Sequence, residues 1–166
     1  MTDVWQEIVF WVLAVVMSIA ALRVVTTKNV VHAALYLVAT LMGAAAMYVL
    51  LLAEFVAWVQ VLVYVGAIVV LMLFGLMLTR ASIGSASFDN DQRLVAAIVA
   101  GAVFGITSWI MIDGFQGKEV HLKDAAGTTT GTVGEAIFSN YVWPFEVVSV
   151  LLLAALVGAV TIARRD

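Results

Sequence analysis

Four residues in LLAEFVAWVQVLVYVGAIVVLMLFGLML (51–78) are types that an apolar segment does not need: Glu54, Gln60, Tyr64 and Gly66. A carboxylate takes up and releases protons. An amide or a phenol holds water or passes on a hydrogen bond, and a glycine loosens local winding. Together they suit a hydrated seam between helices, or a helix that changes shape. Neither chemistry needs a redox centre in this chain.

Each residue also has a structural account. Glu54 at a helix start is favoured by the helix dipole, by roughly 0.3–1 kcal/mol; an intramembrane carboxylate can instead carry protons at the edge of a water-filled seam. Gln60 and Tyr64 are four residues apart, which on an α-helix gives them one face, continued by Ala67 and Leu71. Tyr64 lies about 15 Å into the helix at 1.5 Å per residue, near mid-membrane, where its hydroxyl requires a partner or a water. The alternative is an interhelical hydrogen bond serving assembly. Gly66 permits close packing or a wide turn, and a one-residue bulge there would rotate everything beyond it by about 100°.

Further along, YVWPFEVVSV places Glu146 in the first turn of the last span, just after Tyr141, Trp143 and Pro144. Its readings are the same two as for Glu54. In TTKNVVHAALYL, Asn29 suits the N-cap of the second span. His32 beside it is a capping or interface residue, or a group that senses protons near neutral pH.

The elements that must position these residues are membrane spans. Of 166 residues 64% are hydrophobic and only 11% charged, with a mean hydropathy of +1.12. A soluble domain is nearer a quarter charged. Apolar runs at about 5–23, 30–52, 54–79, 94–112 and 145–163 are each long enough for the roughly 30 Å hydrocarbon core. Helices satisfy their own backbone groups in lipid and isolated strands do not, so the expectation is an all-α, five-span single membrane domain over 1–166. The leader MTDVWQE is acidic, so the first run reads as a retained span and not a signal peptide.

Of the eight cationic residues, Arg23, Lys28, Arg80, Arg93, Arg164 and Arg165 fall on one side and only Lys118 and Lys123 on the other. That asymmetry predicts an outside N-terminus and an inside C-terminus. A tight outer hairpin at Ala53–Glu54, a short inner loop over 79–93 and a long outer loop over about 113–143 complete the plan. Gly101 and Gly105 form a small-xxx-small pair that suits close helix packing.

Composition also excludes function classes. The chain has no cysteine, which removes disulfides, thiolate-held iron–sulfur clusters and Cys–zinc sites. Only His32 and His121 are available as imidazole ligands, so no metal site or two-histidine haem site is expected. GTTTGTVG (127–134) lacks the spacing of a dinucleotide fold or a P-loop. A net charge of −3 without a basic patch offers nothing to nucleic acid.

AEFVAWVQVLVYVGAIVVLMLFGLML, followed by YVWPFEVVSVLLLAALVGAVTIARR, resembles the J-subunit family of bacterial respiratory NADH–quinone oxidoreductase (complex I), whose mitochondrial counterpart is NADH dehydrogenase subunit 6. NVVHAALYL resembles that family's Asn-Pro-Val-His-Ala-Ala pattern, with Val30 where proline is more usual. The resemblance covers all five spans in order. It is specific over Gln60–Ile68 and matches only in length and character in the fourth span and outer loop.

The resemblance implies a membrane-arm core subunit, in the bacterial plasma membrane, that couples quinone reduction to proton pumping. It implies no catalytic, cofactor or metal residues here: FMN, iron–sulfur clusters and quinone belong to partner subunits. The partners it implies are the quinone-site subunit and the antiporter-like subunits. It also implies a π-bulge in the third helix around Tyr64 and Gly66 that rearranges during function, with Glu54, Gln60 and Glu146 along a polar path. Rival readings are a small multi-pass cation/proton antiporter, a passive scaffold, and the equivalent subunit of a ferredoxin- or deazaflavin-fed complex.

Overall fold

The computed structural model describes residues 2–79, 92–116 and 129–164. The inner loop expected over 79–93 falls almost wholly outside them, as does the middle of the long outer loop. Helices α1 (Thr2–Thr26), α2 (Val30–Leu50), α3 (Glu54–Leu78), α4 (Arg93–Phe115), α5 (Thr130–Ser139) and α6 (Val142–Ala163) follow in order. Five of them, all but α5, are long and apolar enough to cross a membrane. The last span starts three residues earlier than its apolar run suggests. Pro144 does not delay it, because the first turn has no intrahelical use for that missing N–H.

Asn29 caps α2: its side-chain oxygen accepts from Val31 N at 3.0 Å and His32 N at 3.4 Å. The other end of α2 closes tightly. Leu52 N donates to Val49 O and Ala53 N to Tyr48 O, the paired bonds of a Schellman turn. Its left-handed position holds Leu52, at φ 59°, where glycine is usual. That conformation costs an L-residue about 1–2 kcal/mol. The turn delivers α3 antiparallel to α2 with no spare chain.

α2 is the hub, packing against α1 on one side and α3 on the other. Ala20 of α1, Ala34 and Ala45 of α2, and Ala57 of α3 are buried, so small side chains set the helix separations. At Gly43 the approach is closest: a Cβ there would overlap Met17 Cγ and lie 3.0 Å from its Sδ.

The remaining spans stand apart. Among the described residues α4 contacts no other helix, and α6 meets only α5. Gly101 and Gly105 have open space where a Cβ would project, so among the described residues the close packing expected of that pair does not occur. A helix apolar all round belongs in a protein interior or in lipid.

The long outer loop holds a helix that its glycines conceal. Thr129 caps α5 through Thr132 N at 3.4 Å. Val133, Ala136 and Ile137 form its half-buried stripe, and Phe138 meets Phe145 of α6 edge-on at 5.0 Å. α5 also touches the first segment of α3, making it the link between α6 and the three-helix core.

A wide-wound helix as the candidate functional site

α3 is continuous but not uniform. Glu54–Val59 is α-helical, Gln60–Val69 is π-helical and Val70–Leu78 is α-helical again. The wide turn expected around Tyr64 and Gly66 is present, and it runs for ten residues.

Burial shows what the winding does. Gln60 and Val69 are both buried, at 9% and 2% exposure, and among the described residues the π stretch meets only α2 apart from its own flanking segments. They are nine residues apart. At about 3.6 residues per turn that is two and a half turns, which puts them on opposite faces; at roughly 4.4 per turn it is two whole turns and one face. The helix must be wound wide for both to reach α2.

Burial separates two residues that the α-helical spacing places on one face: Tyr64 is 46% exposed while Gln60 is buried. At roughly 4.4 residues per turn position 64 lies about 30° to one side of position 60 and position 65 about 50° to the other, and it is Val65 that is half-buried. Ala67 is exposed and Leu71 is 70% exposed, so neither continues the buried stripe.

Gly66 sits where the winding needs it. Built onto its backbone, a Cβ would come within 3.3 Å of Val61 O, the carbonyl five residues back and one turn away along a π-helix. A larger side chain presses on that carbonyl. Glycine meets no such resistance.

The hydroxyls of the spans contrast with these polar groups. Ser18, Thr40, Thr107 and Thr161 each donate to the carbonyl four residues back, at 2.7–2.9 Å. They are satisfied locally and carry no site. Among the described residues the Tyr64 hydroxyl and the Gln60 amide make no such bond, and no fully buried side-chain polar atom lacks a partner. Both polar tips therefore keep some accessible area, the Tyr64 side chain much more than Gln60.

The two carboxylates are not brought together. Glu54 lines a groove of about 510 Å³ with Met42, Ala45, Ala46, Val49, Ala57, Trp58 and Val61. Glu146 lines a separate groove of about 290 Å³ with Trp143, Val147 and Val150. Glu54 stands in the first turn of α3, whereas Glu146, expected in the first turn of the last span, lies in the second because α6 already begins at Val142; the Glu146 carbonyl accepts from Ser149 Oγ at 2.7 Å. Asn29 and His32 lie at the far end of α2 from Glu54. His32 is exposed, held through its backbone by the Asn29 cap. Among the described residues no three His, Asp or Glu side chains converge as a metal site would require.

Residues 20–162 match the family profile described as NADH-ubiquinone/plastoquinone oxidoreductase chain 6. The chain is 41% identical to the F(420)H(2) dehydrogenase subunit J of Methanosarcina mazei, over 97% of this chain and 92% of that protein. It is 39% identical to the NAD(P)H-quinone oxidoreductase chain 6 of Synechocystis sp., over 97% and 82% respectively. Against the protein of the same name from Nostoc sp., identity is 36% over 97% of this chain and 80% of the relative.

Proposed function

The chain belongs to the NADH-ubiquinone/plastoquinone oxidoreductase chain 6 family, and from that premise we propose that it is a membrane-arm core subunit of a proton-translocating NADH:quinone oxidoreductase in which α3 is the coupling element. Quinone reduction on a partner subunit drives a change between π and α winding over Gln60–Val69. Over the nine steps from Gln60 to Val69 the two windings differ by nearly half a turn, so residues beyond the stretch rotate by about 160°. That rotation opens or closes a water path toward antiporter-like subunits.

One observation carries the reading: Gln60 and Val69 are buried together, an arrangement that exists only while the helix is wound wide. Rewinding the stretch removes Val69 from the α2 face and brings a neighbour to it. A packed interface with two such registers is bistable, not continuously deformable. Tyr64 and Gln60 supply the polar tips that hydrate or dry on either side of the switch, and Glu54 stands at one end of the path.

The chain contains no cysteine to hold a cluster. The iron–sulfur clusters are therefore assigned to partner subunits; FMN and the quinone are assigned there too, and the complex to a bacterial plasma membrane, on the strength of the family reading. The 41% identity to an F(420)H(2) dehydrogenase subunit favours a second reading, in which the same membrane piece serves an F420H2-fed complex.

Purification of the tagged chain in mild detergent tests the assignment. The quinone-site and antiporter-like subunits are expected to come with it, and the electron-input subunits recovered decide between the two donors. A chain recovered alone, and moving cations unaided in vesicles, would refute it. For the path, Glu54→Gln is expected to lower protons pumped per NADH; an unchanged ratio and rate would remove Glu54 from it.

A further inference from the structure

The two windings of α3 present two different rows of side chains to α2. In the wide winding the row runs from Gln60 through Val65 to Val69. It continues along Met72, Leu73 and Leu76, which are half-buried three, four and seven residues beyond Val69, the spacing of one α-helical face. Counted from Gln60 at about 3.6 residues per turn, the row is instead Val63 beside Tyr64, then Ala67, Leu71, Phe74 and Leu78. All six of these are exposed in the wide winding.

The outer end of α3 is the fixed one. The Leu52 turn leaves no spare chain, Ala57 is buried, and α5 touches the first segment. A change of winding therefore exchanges the rows from Gln60 inward.

Turn by turn the exchange is nearly like for like. Val63 replaces Val65 in the first turn from Gln60, Leu71 replaces Met72 and Leu73 in the third, and Phe74 replaces Leu76 in the fourth. The second turn is different. There Val69, at 2% exposure the most deeply buried side chain among the described residues, gives way to Ala67. In both windings successive turns are stacked by N–H···O bonds along the axis, so the two residues reach about the same depth.

Alanine has two carbons fewer than valine. The space released is close to that of one water, whose share of liquid volume is about 30 Å³. Gln60 and Tyr64, two turns and one turn nearer the outer end, supply polar partners for such a water. An apolar constriction excludes water while it is filled and admits it when widened.

We propose that Val69 is the plug of the α2–α3 seam and Ala67 the residue that unplugs it. Wide winding keeps the seam dry at this level, and α winding admits water there. The plug rests on the change of winding put forward above and names the level at which it acts.

The test uses the whole complex in proteoliposomes, with passive proton leak and NADH-driven pumping both taken per assembled complex. Leak is compared in the state, resting or inhibitor-bound, in which wild type is tighter. Val69→Ala places alanine at this level in both windings, and its leak is expected to rise about tenfold, the size of effect that two buried methylene-sized groups carry. Ala67→Val places valine there in both windings; its leak is expected to stay at the wild-type value and its pumping to fall about tenfold. Because Ala67 is exposed, a structural role alone predicts no effect of that substitution. Wild-type pumping by Ala67→Val, or wild-type leak by Val69→Ala, would overturn the plug. If α3 of the same preparations still alternates between windings under the electron microscope, the coupling role survives that failure; if α3 keeps a single winding, both fall.

Discussion

Gly66→Val is expected to lower coupled NADH:quinone turnover by about tenfold while leaving NADH oxidation by an artificial electron acceptor unchanged. The reason is local. A Cβ at this position already comes within 3.3 Å of Val61 O, and valine adds two methyls to it. Overpacking of this kind costs about 1–3 kcal/mol, and each 1.4 kcal/mol is about tenfold in a two-state equilibrium. The contact is with the carbonyl one wide turn back, so the strain falls on the π winding and leaves the α winding comparatively free. A helix held to one winding cannot report quinone chemistry to the pump. Gly66→Ala should fall between wild type and valine. Equal loss of both activities would mean that the subunit failed to assemble, and coupling would then remain unaffected per assembled complex.

Gly43→Leu should act at the other extreme, on assembly and not on coupling. The α1–α2 contact is set by the absence of a side chain at position 43, where a Cβ would overlap Met17 Cγ. That overlap is close to the Met17 backbone, so a terminal methyl swing does not relieve it. Assembled complex in the membrane is expected to fall about fivefold or more, since a loss of 1–2 kcal/mol changes abundance several-fold. The complex that does assemble should keep a normal ratio of protons to electrons. Met17→Ala in the same chain should restore most of the assembled complex, a non-additivity expected only of residues in contact. No recovery in the double variant would show that Gly43 serves something other than room for Met17.

The sequence displays its spans because hydropathy measures transfer into lipid, and all five runs became helices. The same measure is silent on neighbours. Leu, Val and Ile facing a partner helix read like Leu, Val and Ile facing acyl chains, so nothing in the fourth and last spans indicated that they would stand away from the other three. Gly101 and Gly105 illustrate the limit, since their spacing predicts close packing and they meet no helix among the described residues. α5 was obscured by Gly131 and Gly134, which lower helix preference. Its signals were the Thr129 cap and the spacing of Val133, Ala136 and Ile137.

The site was legible in its residues and not in its geometry. Glu54, Gln60, Tyr64 and Gly66 stand out by type in any apolar run. The face they present does not follow from a 3.6-residue period, because ten residues are wound on a different one. Applied to positions 60 and 64, the α-helical period gave one shared face, and the structure buries one and exposes the other. The groove at Glu54 was also beyond sequence reasoning, since it is assembled from two helices whose angle is set by the Leu52 turn.

The most direct test is electron cryo-microscopy of residues 54–78 in the assembled complex, frozen at rest and during turnover. The expected result is π winding over Gln60–Val69 in one state and continuous α winding in the other, with Leu73 and Leu76 turned by about 160° relative to α2. The same winding in both states, with Val69 still against α2, would contradict the assignment of α3 as the coupling element.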